Sequence, residues 1–554
     1  MKFLDNIPFK LVLILLGAVL FIPFLGNAPL FDWDEINFAE SAREMLLSGN
    51  YLQVQMDFQP FFEKPPFFIW MQVLSMKVFG VNEFAARLPN AIVGISTMLA
   101  LLAIGKRLKD EYFGVLWALI YIACFLPHFY FKTALIDPVF NLFIFTGIYF
   151  ASKITENDEF TSHKQRRKLR NSSVFYAGLF IGLSVLAKGP VGFLLFSLTY
   201  VVLFAIGKFK KTNNLWEFIY FGMVCFGTIS IWYGLEWYIN GPGFLEGFFQ
   251  RHMDLLTTKD AGHGGPIYYH FLVLLLGCFP ASVFMFGGIK NHDFSTGLLH
   301  NFQRWMLSLL IVVLVVFSLV QTKIIHYSSL AYFPITFFAT YFIYYLLQGK
   351  RKWQWYHAVL FLLIGIIWGT ALTLVPLLGL NSEVIVGIIN GNDPFAAANL
   401  NAKVFWSYSE VAYGLIYIAC LILAGILFAV KQIRLGIAVL FISTAITIQL
   451  VVVMFTPRIG LYTQDAAIRF YKEKSTETCY IQALGFKSYA PLFYGEKAKH
   501  LKHYSTEELL SEYIEEEVYF VSKNIKMDEY LTKYPQLELI GQENGFVFYR
   551  KVKY

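Results

Sequence analysis

Carboxylates and lysines stand in this chain where an apolar sequence should not place charge, and their types suit transfer of a group away from a phosphate. Asp34 lies in FDWDEINFAESAREMLLSG, Glu63-Lys64-Pro65-Pro66 follows, Asp137 precedes Pro138, Lys188 sits in LAKGPVG and Lys323 opens KIIHY. All of them border long apolar runs on one side. A charge at that depth is costly unless paired, and such residues commonly line substrate paths. A carboxylate there can take the proton of an acceptor hydroxyl or amine as general base. Lysines can hold a departing phosphate as point charges. An anionic lipid phosphate is the natural partner, because its head group lies at this level. It leaves as a stable anion, so no strong general acid is needed. Plainer uses exist for each residue: Asp34 and Asp137 can cap helices, and any one lysine can snorkel to head groups. The convergence of Lys64, Lys188 and Lys323 on one side favours function.

The elements that must position these groups are spanning helices. The chain has 554 residues, 57% of them hydrophobic and only 15% charged, against roughly 25% charged in a soluble domain. Apolar runs near the length of a spanning helix recur at about 7–25, 88–105, 112–131, 134–152, 173–187, 190–207, 215–235, 267–288, 304–320, 327–347, 355–378, 410–430 and 435–455. That is about thirteen spans. Basic loops at 106–109, 153–170, 208–211, 350–352 and 431–434 all fall on one side, which puts the N-terminus in the cytoplasm and the C-terminus outside. The net charge of +7 follows this topology and gives no nucleic-acid signature. The segment Ile7–Leu25 lacks a small-x-small cleavage pattern and reads as a retained first span.

Between the first two spans, a loop over 27–87 holds Asp32, Asp34, Glu35, Glu40, Glu44, Asp57 and Glu63. Asn37–Ser48 places Phe38, Ala42, Met45 and Leu46 opposite Glu40, Ser41 and Glu44, the pattern of an amphipathic helix lying at the membrane interface. Beyond 455 the composition becomes that of a soluble domain: TCYIQALGF and EEVYFVSK read as buried strands, STEELLSEYIEEE as a helix, and LELIGQENGFVFYRK as a hairpin turning at Asn544-Gly545. The expected architecture is a polytopic α-helical membrane part over 1–455 and a small C-terminal α/β domain over 456–554.

The five cysteines have no paired or metal-type spacing. His263, in GHGGP, could join Glu63 on a divalent metal such as zinc or magnesium, although a lone His in a glycine-rich loop is more often neither ligand nor contact. No HExxH, Walker loop, strand-linked GxGxxG or CxxC supports a zincin, NTPase or nicotinamide reading.

At these residues the chain resembles the GT-C membrane glycosyltransferases of the aminoarabinose (lipid A) transferase and protein O-mannosyltransferase superfamily. The resemblance rests on DExxFAExAREMxxSG (34–49), FEKPP (62–66), FGxNExxARLP (79–89), the Asp137-Pro138 step, LAKGPVG (186–192) and KIIHY (323–327). It implies Asp34 as general base, Asp137 as second carboxylate, and Lys64 and Lys188 on the donor phosphate. Glu35, Arg43, Lys323, His326 and Tyr327 would contact substrate, and Glu63 and His263 align with a pair able to share a metal. The implied reaction, on the periplasmic side of a bacterial inner membrane, moves a sugar from an undecaprenyl or other polyprenyl phosphate to lipid A or another envelope acceptor, inverting the anomeric centre. One departure bears on the sugar: Phe61 and Phe62 precede Glu63 where close aminoarabinose relatives would carry at least one Tyr. The rival readings are a protein O-glycosyltransferase and, from another class, a flippase for lipid-linked sugars. The latter should show an internal repeat and midplane charges, and the sequence has neither.

Overall fold

The protein is described by a computed structural model over residues 8–154, 163–207, 214–257, 264–290, 297–389 and 392–553. His263 and Lys259 lie outside these residues. The expected spans all fall on helix. Eight helices are long and apolar enough to cross a bilayer by themselves, at Glu83–Leu108, Lys164–Lys188, Leu215–Asn240, Gly297–Leu319, Ile325–Leu347, Trp355–Leu380, Tyr408–Ala429 and Ile433–Thr463. A bent pair brings the number to nine among the described residues, so length alone does not reach about thirteen.

Two expected spans are broken. Tyr269–Gly277 and Ala281–Ile289 meet at an angle of 108°; Pro280 has no N–H to continue the ladder, and its ring displaces the preceding turn. The run 112–131 divides into helices Glu111–Ile122 and Phe125–Tyr130, the second of which contains Pro127. The Phe125 amide donates to the carbonyl of Phe279 (3.3 Å), so the two breaks meet.

The bundle is organised around Ile325–Leu347, of whose spanning window 94% is buried. Its neighbours close in through aromatic rings: Trp117 meets Phe145, Phe302 and Phe337 with centroids 5.2–6.1 Å apart. Where helices 83–108 and 111–122 cross, Gly105 and Gly114 abut so closely that a Cβ on either would strike the other helix's backbone. Lys109 and Lys350 lie over the same Tyr345 ring, which gathers two of the basic loops at one end.

The loop helix, Asp34–Ser48, is not the interfacial helix that its pattern suggested. Glu35 through Met45 are all buried, Glu40, Ser41 and Glu44 included. The C-terminal domain covers the polar face. Arg43 forks onto Glu40 with two bonds of 2.7 Å and donates to the carbonyls of Leu492 (3.3 Å) and Lys497 (3.1 Å). Burial, together with the neighbouring Glu40 carboxylate, pushes the Glu44 carboxyl well above its ordinary value. Glu44 accepts from the amides of Asp57 and Phe58, in the turn between short strands β1 (Gln55–Met56) and β2 (Gln59–Pro60). Asp57 in turn pairs with Lys497 and His503 of the C-terminal domain.

That domain follows the last span, whose helix runs past the expected boundary to Thr463. Its sheet has strands β3 (Cys479–Leu484), β4 (Glu517–Lys523), β5 (Leu537–Glu543) and β6 (Phe546–Lys551) in the order β3-β4-β6-β5. The β3–β4 pair is parallel and the others are antiparallel. The expected strands and hairpin are present, with Asn544 at φ +50° in the turn. The expected helix is only Thr506–Ser511. Alternate residues of the strands feed two cores. Ile481, Tyr519, Val521 and Phe548 share one with Ile36, Ala39 and Ala42 of the loop helix, while Tyr480, Phe520, Val547 and Tyr549 pack on the far face.

The join that fixes the loop is the buried pair of Glu35 and Arg87, which are 1% and 5% exposed at the side chain and 2.7 Å apart. Arg87 also donates to the carbonyls of Leu25, Ala28 and Pro29, each at 2.8 Å. Glu35 also accepts from the amides of Phe31 (2.7 Å) and Ala134 (2.5 Å). Removing one partner of such a pair costs about 3–5 kcal/mol, because the other is left charged and buried. Glu35→Ala should therefore melt well below the wild type in detergent, and the Glu35→Ala/Arg87→Met double variant should recover part of the loss. A single variant that melts with the wild type would show that the fork does not hold the loop.

Candidate active site

Four charged or titratable side chains from remote parts of the chain meet at the head of the most buried helix. Asp137 begins the helix Asp137–Lys153, and Lys188 ends Lys164–Lys188. They pair at 2.6 Å, with the Asp137 side chain 4% exposed. Nε2 of His326 lies 3.4 Å from Asp34 and 3.9 Å from Asp137, between the two carboxylates. The charged groups whose fields reach the His326 ring are Asp137, Asp34, Lys188 and Lys64. The turn carrying His326 is fixed by Ser329, which donates to the His326 carbonyl (2.5 Å) and accepts from Asn141 (2.7 Å), one helical turn beyond Asp137. Lys188 is flanked by the rings of Tyr327 (5.4 Å) and Phe140 (5.6 Å).

The two carboxylates differ in the way that matters for proton transfer. Asp137 is spent on Lys188. Asp34 has a side chain 35% exposed and no lysine or arginine partner among the described residues. Neither serves as a helix cap: the caps preceding their helices are Trp33 and Ile136, with no side-chain hydrogen bond. The Asp34 carboxylate is therefore open to an acceptor.

Lys64 and Arg251 share one acid, Glu63, at 3.1 and 3.4 Å. Two cations thus stand beside one carboxylate at this rim. Burial opposes ionisation of Glu63, but Lys64 and Arg251 outweigh it and hold the carboxyl below its ordinary value.

Three residues expected to contact substrate have other work. Glu35 is locked to Arg87, and Arg43 is locked to Glu40 and the C-terminal domain. Lys323 spends its three N–H donors on the carbonyls of Phe317 (3.0 Å), Ser318 (2.8 Å) and Val320 (2.6 Å), closing the C-terminus of Gly297–Leu319. Of the expected metal pair, only Glu63 lies within the described residues. Glu63 is paired with Lys64 and Arg251. No step below passes through a metal.

The C-terminal domain contributes residues that carry no mark of a site in the sequence. Lys487 Nζ lies 4.2 Å from the ring centroid of Trp33, the residue before Asp34. The Tyr489 ring packs edge-on against Trp33 and Phe61, and its amide donates to Asp32 (3.4 Å). Nothing in the ordinary charge mix of the tail marks these positions. Only the fold brings them to the site.

A helical membrane bundle with paired carboxylates and cations at one end, carrying a small sheet domain above them, has the GT-C fold. It superimposes on the crystal structure of ArnT from Cupriavidus metallidurans bound to undecaprenyl phosphate with a TM-score of 0.72 at 15% identity, over 98% of both chains. Residues 63–232 match the family described as dolichyl-phosphate-mannose-protein mannosyltransferase. The undecaprenyl phosphate-alpha-4-amino-4-deoxy-L-arabinose arabinosyl transferase of Enterobacter sp. (strain 638) is 24% identical over 60% of this chain and 59% of its own. That of Shewanella sediminis (strain HAW-EB3) is 26% identical over 50% and 49%. The chain thus matches less than two thirds of these relatives' length. Over these stretches the chain is similar to the superfamily of the aminoarabinose transferases and protein O-mannosyltransferases.

Because the folded Glu63 carboxyl titrates below its unfolded value, its stabilising effect is complete above the unfolded value and is lost as pH falls through the lower, folded one. Glu63→Gln should accordingly be less stable at neutral pH and lose less on acidification below about pH 4.5, measured by thermal melting across pH. Parallel acid limbs in the two proteins would contradict the pairing.

Proposed function

We propose that this protein transfers a sugar from undecaprenyl phosphate, or a similar polyprenyl phosphate, to lipid A or another envelope acceptor. In this reading the reaction takes place on the periplasmic side of the inner membrane, with the N-terminus in the cytoplasm and the C-terminal domain in the periplasm. The observation that carries it is the inequality of the two carboxylates around His326: Asp137 is neutralised by Lys188, whereas Asp34 is accessible and has no lysine or arginine partner among the described residues.

Asp34 removes the proton of the acceptor hydroxyl as its oxygen attacks the anomeric carbon. The bond from that carbon to the phosphate oxygen breaks, and the configuration inverts. The electron pair stays on the polyprenyl phosphate, where Lys64 and Arg251 at the rim meet the developing charge. His326 spaces the two carboxylates. The Lys188–Asp137 pair, flanked by Tyr327 and Phe140, keeps the floor of the pocket fixed while substrates enter from the bilayer. The names of the aligned arabinosyl transferases support this donor class, and the Lys64 ammonium at the rim suits its phosphate.

Asp34→Asn should lower transfer by about 10²–10⁴-fold while retaining the donor. Lys64→Ala should raise the KM for donor. Both follow from incubating purified protein with radiolabelled polyprenyl-phosphate sugar and lipid A. Full turnover by Asp34→Asn would remove Asp34 from the reaction. Label entering protein in place of lipid would change the acceptor to Ser or Thr.

A further inference from the structure

The helix that ends at Lys188 carries a second constellation at its other end. A cavity of about 420 Å³ lies there, with Lys164, Arg167 and Lys168 at its mouth. Asn171 and Ser172 come next, then Phe175 and Tyr176, and Tyr220 of the neighbouring helix closes the wall. The spacing along the helix is i, i+3, i+4, i+7, i+8, i+11, i+12, a single face. That face changes from cationic to neutral hydrogen-bonding to aromatic over about 18 Å of helix. The order is that of a phospholipid along the membrane normal: phosphate, glycerol and ester, acyl chain.

The charges in this groove are available. Arg170, off the stripe, is bound to Glu217 at 2.7 Å and ties the two helices together. Lys164, Arg167 and Lys168 make no ion pair with the described residues and are exposed, as are Phe175 (39%) and Tyr176 (42%). Lys164 is about 36 Å along the helix from Lys188, farther than the roughly 30 Å hydrocarbon core. The groove therefore faces the opposite leaflet from the catalytic cluster. Basic pockets between spanning helices are suited to anionic head groups.

We propose that this groove binds the phosphate head group and upper acyl chain of an anionic glycerophospholipid. The site does not depend on the identity of the reaction at Asp34. Its test is native mass spectrometry of the full-length protein in detergent, titrated with phosphatidylglycerol, phosphatidylcholine or inorganic phosphate. Phosphatidylglycerol should be retained over phosphatidylcholine. Each charge removed in the series Lys168→Gln, Arg167→Gln/Lys168→Gln and Lys164→Gln/Arg167→Gln/Lys168→Gln should weaken it about fivefold. Phe175→Ala/Tyr176→Ala should weaken it as well. Melting in phosphatidylcholine checks the fold; if the triple variant melts early, Lys168→Gln alone supplies the comparison. Equal retention of the two lipids, or of phosphatidylglycerol by wild type and charge variants, would overturn the proposal. Displacement by inorganic phosphate would also overturn it, by making this a site for the free ion.

Discussion

The fork between Glu35 and Arg87 sets the geometry on which the site depends. Glu35 is the residue after Asp34, and the Ala134 amide that it accepts lies one turn before Asp137. Arg87 spends its remaining donors on carbonyls at the end of the first helical segment. Asn90, one turn further along the same helix, donates to the carbonyls of Thr133 and Leu135 at 2.7 and 2.6 Å. Three segments distant in sequence, 25–35, 87–90 and 133–135, are thus joined around one buried ion pair. A buried pair of this kind is weak evidence for added stability, because desolvation opposes the Coulomb attraction. Its contribution here is position. An apolar replacement could fill the same volume, but it could not hold the Ala134 amide and the Asp34 backbone to one atom group.

Charge is divided on the same principle throughout the outer end. Lys323 and Arg87 have their donors saturated by carbonyls and carboxylates, and Arg43 is committed to Glu40 and two carbonyls, so they organise backbone. Lys64 and Arg251 both reach Glu63, and Asp34 has no lysine or arginine partner among the described residues, so Asp34 retains capacity for a ligand. Residue type does not separate the two groups. Counting the hydrogen-bond partners of each side chain does.

That distinction explains what the sequence disclosed. Asp34, Asp137, Lys64 and Lys188 were legible because a charge beside a spanning segment is expensive and invites a functional explanation. The same logic overreached at Glu35, Arg43 and Lys323, since a structural fork or a helix terminus can hold a charge at the same depth. The amphipathic pattern over 37–48 correctly gave a helix but not what covers it. A period of 3.6 residues identifies a polar face, yet Glu40 and Glu44 look the same whether water or a docked domain lies above them. Hydropathy gave the apolar runs, whereas the breaks at Pro280 and near Pro127 had to come from the backbone.

The docked domain makes the tail part of the site and not an appendage to it. Asp34, Glu35, Arg43 and Glu44 share one helix, and the domain grips that helix at both ends: Leu492 and Lys497 meet Arg43, and Tyr489 and Lys487 meet Asp32 and Trp33. Its sheet shares a core with the helix's apolar face. A rigid helix held on two faces cannot move its first residue independently. The position of the Asp34 carboxylate relative to His326 is therefore set jointly by the membrane bundle and by a domain whose own sequence carries no catalytic signature. Loss of the domain would release the polar face of this helix to water, leave Arg43 and Asp57 without their docking partners, and free Asp34 from the register that the Glu35 fork alone would then have to maintain.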